Sequence, residues 1–230
     1  MKKIFDDNLL NYYCNKYLLT SYLNANLINF LEIHYFNKNE FICKLNDTLP
    51  YMYFLVEGKS KVTSLVSSGK SLLICFNMPL SVIGDIELIE NSHAVCNVQA
   101  LESCTCLALP LNKIKEFAYD DPIFLRFVIS SLQKKLKRNS SYMNINILYP
   151  IENRFASYLV SSLPSNTDTE TYIDIDGINN LSELLGSSYR HLNRVIKKLS
   201  DEKIIEKNKN KIKILNLQKL TLLAHDIYKN

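Results

Sequence analysis

Residues 180–205 read NLSELLGSSYRHLNRVIKKLSDEKII, and the fold of the whole chain is read outward from them. Leu181, Leu184 and Leu185 form a short apolar stripe, Gly186 interrupts it, and Leu192, Val195, Ile196 and Leu199 form a second stripe at helical spacing. The pattern predicts two helices joined by a tight turn. Gly186 suits the turn because glycine tolerates positive φ, and Ser187 or Ser188 can cap the second helix by accepting from its free N–H groups. With the second stripe turned inward, the opposite face carries Tyr189, Arg190, Asn193, Arg194 and Lys197. Arginine pairs with guanine O6 and N7, and asparagine with adenine, so this face suits the major groove. The plain alternative is a solvated amphipathic helix.

The next stretch separates the two. In DEKIIEKNKNKIKIL, Ile204 and Ile205 lead into a turn at Asn208 to Asn210, after which Ile212 and Ile214 alternate with Lys211 and Lys213. This reads as a two-stranded hairpin with a lysine-studded tip. From Gly186 to Lys213 nine basic residues stand against three acidic ones, a local charge of +6, whereas residues 164–185 hold five acids and no base. Positive charge focused on one end is suited to neutralising phosphates. Tyr189, Arg190 and Arg194 are candidates for base edges, Ser188, Lys197, Lys209 and Lys211 for phosphates, and Asn193 joins them on the DNA-binding face.

The segment LSELLGSSYRHLNRVIKKLSDEKII resembles the winged helix-turn-helix of the Crp/Fnr superfamily of bacterial transcription regulators, and the order of parts upstream agrees. The phrase YMYFLVEGKSKVTSL resembles the strand, glycine turn and strand of the cyclic-nucleotide-binding fold, and IGDIELIE the start of its phosphate-binding cassette. The resemblance implies an α+β chain: a β-roll (double-stranded β-helix) sensor with N-terminal helices over 1–118, a dimerisation helix over 119–149, and a winged helix-turn-helix over 150–230. It implies a homodimer on a near-palindromic operator in double-stranded DNA, with RNA polymerase as a further partner of an activator. Tyr189 stands where the cyclic-AMP receptor protein has an arginine, so that protein's operator does not transfer.

The residues upstream fit this order. Residues 1–37 read as helical, with Leu9, Leu10, Tyr13, Tyr17 and Leu18 on one face and Leu23, Leu27, Phe30 and Leu31 on the next. Short apolar or alternating runs follow at 41–43, 52–56, 60–66, 72–76, 95–98 and 104–109, separated by turn signals, as in a barrel or double-sheet roll. From Asp121-Pro122, a cap followed by proline, Leu125, Ile129, Leu132, Leu136, Met143 and Ile147 recur three or four residues apart, except across Asn139-Ser140. Such a seam, on a helix of roughly 28 residues and about 40 Å, reads as a dimerisation helix, the alternative being a long helix packed on its own domain. Tyr149-Pro150 ends it, and IENRFASYLVSSL begins the next helix.

By the same resemblance, the effector pocket maps to Gly84, Asp85, Glu87, Ser92 and His93, with Asn139 and Ser140 reaching in from the long helix. The family's phosphate-pairing arginine falls near Ser92 or His93, so it is missing, and Asp85, Glu87 and Glu90 would repel an anion. Cyclic AMP is therefore not the expected effector; another small molecule, or none, is. Only Cys14 lies near the N-terminus, too few ligands for the iron–sulfur cluster of the Fnr branch. Neither a cofactor nor a metal is expected. Cys104 and Cys106, two apart on one strand, face the same way: a core pair or, in a variant of the same regulator, a redox-sensing thiol pair. No nucleophile elbow, phosphate loop or paired metal-ligand motif is present, so an enzyme or simple binding barrel is the remote alternative. At 230 residues and 47% hydrophobic, with no apolar run of the roughly 20 residues that span a bilayer, the chain reads as globular and cytoplasmic with reduced thiols.

Overall fold

The computed structural model describes residues 1–65, 69–88, 93–164 and 172–225, with the side chains of 141–147 not described. Ser92, the Met143 side chain and the loop expected at 164–171, from residue 165 on, lie outside the described residues. Twelve strands and eight α-helices are described. By internal contacts the chain divides into two compact units: Met1–Val62 with Asn77–Lys137, and Thr63–Phe76 with Arg138–Asn230.

The first half of the chain is a roll of two sheets. One has five strands in the order β1 (Lys2–Ile4), β2 (Glu32–Phe36), β9 (Cys104–Pro110), β4 (Tyr51–Glu57) and β7 (Ser81–Ile83). The other has four: β3 (Phe41–Cys43), β8 (Asn97–Ala100), β5 (Ser60–Leu65) and β6 (Ser71–Asn77). β4 buries five consecutive residues, Met52 to Val56, as a strand covered on both faces does. It pairs antiparallel with β9, Phe54 opposite Leu107 and Leu55 opposite Cys106. At the tip between β4 and β5, Gly58 has φ +86° and a Cβ there would run into the Ser103 carbonyl, so only glycine fits.

The N-terminal 37 residues differ from their helical expectation. α1 (Asp7–Lys16) and the one-turn α2 (Ala25–Ile28) are helices, but Lys2–Ile4 and Glu32–Phe36 are strands paired with each other. Leu27, Phe30 and Leu31 mimic a helical stripe, yet Glu32–Phe36 is bonded on its other side to β9, and ladder pairing outweighs local periodicity there. Two further adjustments are small: β7 was not expected, and the strand expected at 95–98 begins at Asn97.

After α3 (Leu111–Phe117), the long helix α4 (Pro122–Leu148) begins where expected: the Asp121 carboxylate accepts from the N–H groups of Ile123 (2.9 Å) and Phe124 (3.3 Å). Its 27 residues run unbroken through Asn139-Ser140. Phe124 and Val128 are buried, whereas Ile129 and Leu136 are 63% and 70% exposed.

The C-terminal helices are α5 (Ile151–Ser161), α6 (Gly177–Leu184), α7 (Tyr189–Asp201) and α8 (Leu217–Ala224). They pack with a three-stranded sheet in the order β10 (Tyr172–Asp174), β12 (Lys211–Ile214) and β11 (Ile205–Asn208), in which β10 lies where residues 172–175 read as a short strand of the wing sheet.

Candidate nucleic-acid interface

The turn between α6 and α7 is held at several points. Gly186 takes φ +58° and its N–H donates to the Glu183 carbonyl (2.9 Å), while Ser187 N–H donates to Ser182 (2.8 Å). Ser188, in extended backbone, caps α7 by accepting from His191 N–H at 3.2 Å. Leu192 and Leu199 are wholly buried, Val195 and Ile196 nearly so. Their burial turns Tyr189, Arg190, Asn193, Arg194 and Lys197 to the outside, all exposed. Among the described residues neither Arg190, Arg194 nor Lys197 has an ion-pair partner within the chain. An exposed arginine and asparagine face, unneutralised and beginning at a helix N-terminus, suits a polyanion.

The wing adds charge at its tip. Lys209 has φ +48° and is exposed between β11 and β12, and the neighbouring Asn210 carbonyl accepts from Ile175 N–H at 2.8 Å. Lys211 is exposed with Asp174 at 3.9 Å, a distance at which the pair is weak and screened. Lys198, counted in the basic cluster, is committed elsewhere: it donates to both Glu152 oxygens (2.8 and 3.0 Å), and that contact holds its amine above the ordinary range.

Arg154 lies in IENRFASYLVSSL, which the sequence resolves only as a helix. The structure shows it 8% exposed on α5, with Nη1 donating to the Leu185 carbonyl and Nε to the Tyr149 carbonyl (3.2 Å). A buried guanidinium on two carbonyls pins the residue before Gly186 to the end of α4. An arginine among apolar helix positions was the available signal.

At the expected effector pocket, Gly84 has φ +96° and a Cβ there would lie 2.8 Å from Leu49 Cδ2 and 3.1 Å from the Tyr51 carbonyl. Asp85 is 2% exposed, and its carboxylate accepts from Ile86 N–H (3.1 Å), Ser131 Oγ (2.8 Å) and Lys135 Nζ. Glu87 is also buried and accepts from Val95 N–H at 3.2 Å. His93, Asn139 and Ser140 are exposed. The groups on α4 that meet Asp85 are therefore Ser131 and Lys135. No sequence reading singled these out; the signal was two polar residues four apart continuing the buried stripe of Phe124 and Val128.

Cys104 and Cys106 are both wholly buried. Cys104 Sγ donates to the carbonyls of Lys59 (3.3 Å) and Glu102 (3.4 Å), and burial pushes its thiol up to about 12. Burial, with Cys104 alongside, holds Cys106 well above its ordinary value too. Protonated thiols in the core are poor nucleophiles, and this is the packing role weighed above.

Residues 33–121 match the family model of the cyclic nucleotide-binding domain, and residues 153–223 that of the Crp-like helix-turn-helix domain. The chain is 29% identical over 193 residues to Regulatory protein YeiL of Escherichia coli O157:H7, covering 84% of this chain and 85% of that protein. It is 25% identical over 124 residues to Transcriptional activator protein Anr of Pseudomonas protegens, 54% of this chain and 50% of that one. Among solved structures, a crp/fnr-family protein of Eubacterium rectale matches with a TM-score of 0.76 at 15% identity, over 92% of this chain and 99% of that one. TTHB099, a CRP-family regulator of Thermus thermophilus, matches with a TM-score of 0.66 at 18% identity, over 85% and 98%. A roll that fits the nucleotide-binding domain, followed by a helix-turn-helix that fits the Crp-like domain, makes this chain a member of the Crp/Fnr family of DNA-binding transcription regulators.

Proposed function

We propose that the chain acts as a cytoplasmic homodimer that reads a near-palindromic operator, with its working parts divided as sensor (1–118), dimer helix (119–149) and DNA-binding domain (150–230). The observation that carries this reading is the face of α7, where Arg190, Asn193, Arg194 and Lys197 are all exposed while Leu192, Val195, Ile196 and Leu199 are buried. Two such helices enter successive major grooves about 34 Å apart. Tyr189, Arg190, Asn193 and Arg194 read base edges; Ser188, Lys197, Lys209 and Lys211 hold phosphates.

The dimer rests on the seam of α4, where Leu125 and Leu132 are half-buried and Ile129 and Leu136 exposed. That spacing matches coiled-coil packing against a second copy. Cyclic AMP is not the expected effector: the Asp85 carboxylate already has its donors inside the chain, and the sequence carries no arginine near Ser92 or His93, where the family's phosphate-pairing arginine falls. As an activator it would act by contacting RNA polymerase.

The test is selection of bound sequences from random DNA by the purified protein. Recovery of an inverted repeat supports a dimeric reader. A single half-site sinks the dimer, and recovery of no motif at any salt concentration sinks sequence-specific binding by the protein alone.

A further inference from the structure

The Asp85 cluster does more than fill the roll. A fully buried carboxylate is costly unless each oxygen is satisfied and its charge is matched. Here Oδ1 accepts from Lys135 Nζ and the Ile86 N–H, and Oδ2 from Ser131 Oγ. The Asp85 side chain is wholly inaccessible, and that of Lys135 is 22% exposed. Glu87, the other buried acid of this segment, takes a backbone N–H instead, so Lys135 is the cation that matches Asp85.

The two donors arrive from α4, 46 and 50 residues further along the chain. On that helix Phe124, Val128, Ser131 and Lys135 form the stripe turned to the roll, and Leu125, Ile129, Leu132 and Leu136 each follow by one residue, about 100° around the axis. Whatever fixes Ser131 and Lys135 therefore fixes the direction in which the apolar seam points. A diffusible effector can set such an arrangement only by binding it better than the alternative. A lysine carried on the helix does the same with no ligand at all, at the high effective concentration of a tethered group.

We propose that the sensor contains a primary-ammonium site centred on Asp85 and Ser131, and that Lys135 occupies it as a built-in effector, holding α4 in the rotation that dimerises and binds DNA. The site takes an alkylammonium group; anionic and neutral metabolites find no counterpart in it. The DNA part of this proposal rests on the function proposed above, whereas the ammonium site does not.

Lys135→Ala removes three methylenes and the ammonium, which is the shape of propylammonium. The experiment measures this full-length variant's affinity for the selected operator and its thermal midpoint, with propylammonium chloride against equal sodium chloride and against propanol. The expected result is an affinity loss of about tenfold or more, recovered at roughly 10 to 100 mM propylammonium and by neither control, with a parallel rise in midpoint. Lys135→Met, which keeps the volume and fills the space, is expected to lose affinity similarly and to be indifferent to propylammonium; it serves as well if the alanine variant does not fold. Wild-type affinity in Lys135→Met overturns the proposal, and so does an alanine variant that responds to propylammonium no more than to sodium chloride. If the wild-type protein binds no DNA, the function proposed above fails, and the midpoint of the alanine variant decides the ammonium site by itself.

Discussion

Asp85 and Arg194 are both charged side chains at the working ends of this chain, and the fold treats them in opposite ways. Asp85 is 2% exposed and takes three donors from its own chain; Arg194 is exposed, with no ion-pair partner among the described residues. Burial makes the first charge a fixed point of geometry: its partners must stay or the structure pays in stability. Exposure makes the second a binding group, because a guanidinium with no internal partner keeps its full attraction for an external anion. Mutations in the two regions should therefore fail in different measurements.

The largest effect is expected inside. Lys135→Met leaves a carboxylate buried with only neutral donors, a change of the kind that costs about 3 to 5 kcal/mol. Urea unfolding followed by circular dichroism measures it, and a loss below about 1 kcal/mol would falsify a structural role for the pair. Arg194→Ala is the counterpart. Its stability should stay within about 0.5 kcal/mol of wild type, since the side chain touches solvent. Binding to the best operator should weaken by about 1 to 3 kcal/mol with little change on random DNA. Fluorescence anisotropy on both DNAs checks this; equal losses would mean that Arg194 holds phosphate instead of reading a base.

How legible each region was in the sequence follows the same division. The turn and recognition helix could be read almost residue by residue, because Gly186, Ser188 and the stripe from Leu192 to Leu199 act within a few residues of one another. The central strands β4 and β9 were visible for a similar reason, as continuous apolar runs. Strand β2 was not, because Leu27, Phe30 and Leu31 just before it imitate a helical stripe and its identity depends on pairing with β9, some seventy residues on. The Asp85–Lys135 pair was hidden for the same physical reason: periodicity reports which face is apolar, and says nothing of which distant charge a polar residue will meet. Arg154, spanning the carbonyls of Tyr149 and Leu185, belongs to this class as well.

A second buried polar group extends the comparison to pH. His34 is wholly buried on β2, with its Nε2 2.8 Å from Glu32, which Lys3 also bonds at 2.8 Å, and with Tyr51 and Tyr53 packed against the ring. Burial lowers its pKa below the ordinary 6.5, outweighing the opposing pull of Glu32. A depressed folded-state pKa means that the unfolded chain binds the proton first. The stability contribution of His34 is thus intact above pH 6.5 and is lost as pH falls through the folded value. Unfolding midpoints between pH 8 and 5 should decline on the acid side, and His34→Gln should flatten that decline. An unchanged slope would assign the acid sensitivity to other groups. The operator contacts proposed for Arg194 should not follow this profile.

The smallest effect is expected at the wing tip, where it tests the exposed side of the comparison most directly. Lys209 stands in the turn between β11 and β12 with positive φ and no ion pair among the described residues. A lysine there contributes a point charge that cannot distinguish bases, so its removal should weaken specific and random DNA alike. Each phosphate contact releases condensed counterion, and losing one should reduce the slope of log affinity against log salt by about 0.9. Affinity of Lys209→Ala measured across a salt series on both DNAs gives that slope. Lys198→Ala is the internal control, because its amine is held by Glu152 and is not offered to DNA: its slope should match the wild type. If Lys198→Ala flattens the slope as much as Lys209→Ala does, its pairing with Glu152 gives way to phosphate on binding, and the division between internally matched and externally offered charge fails at that residue.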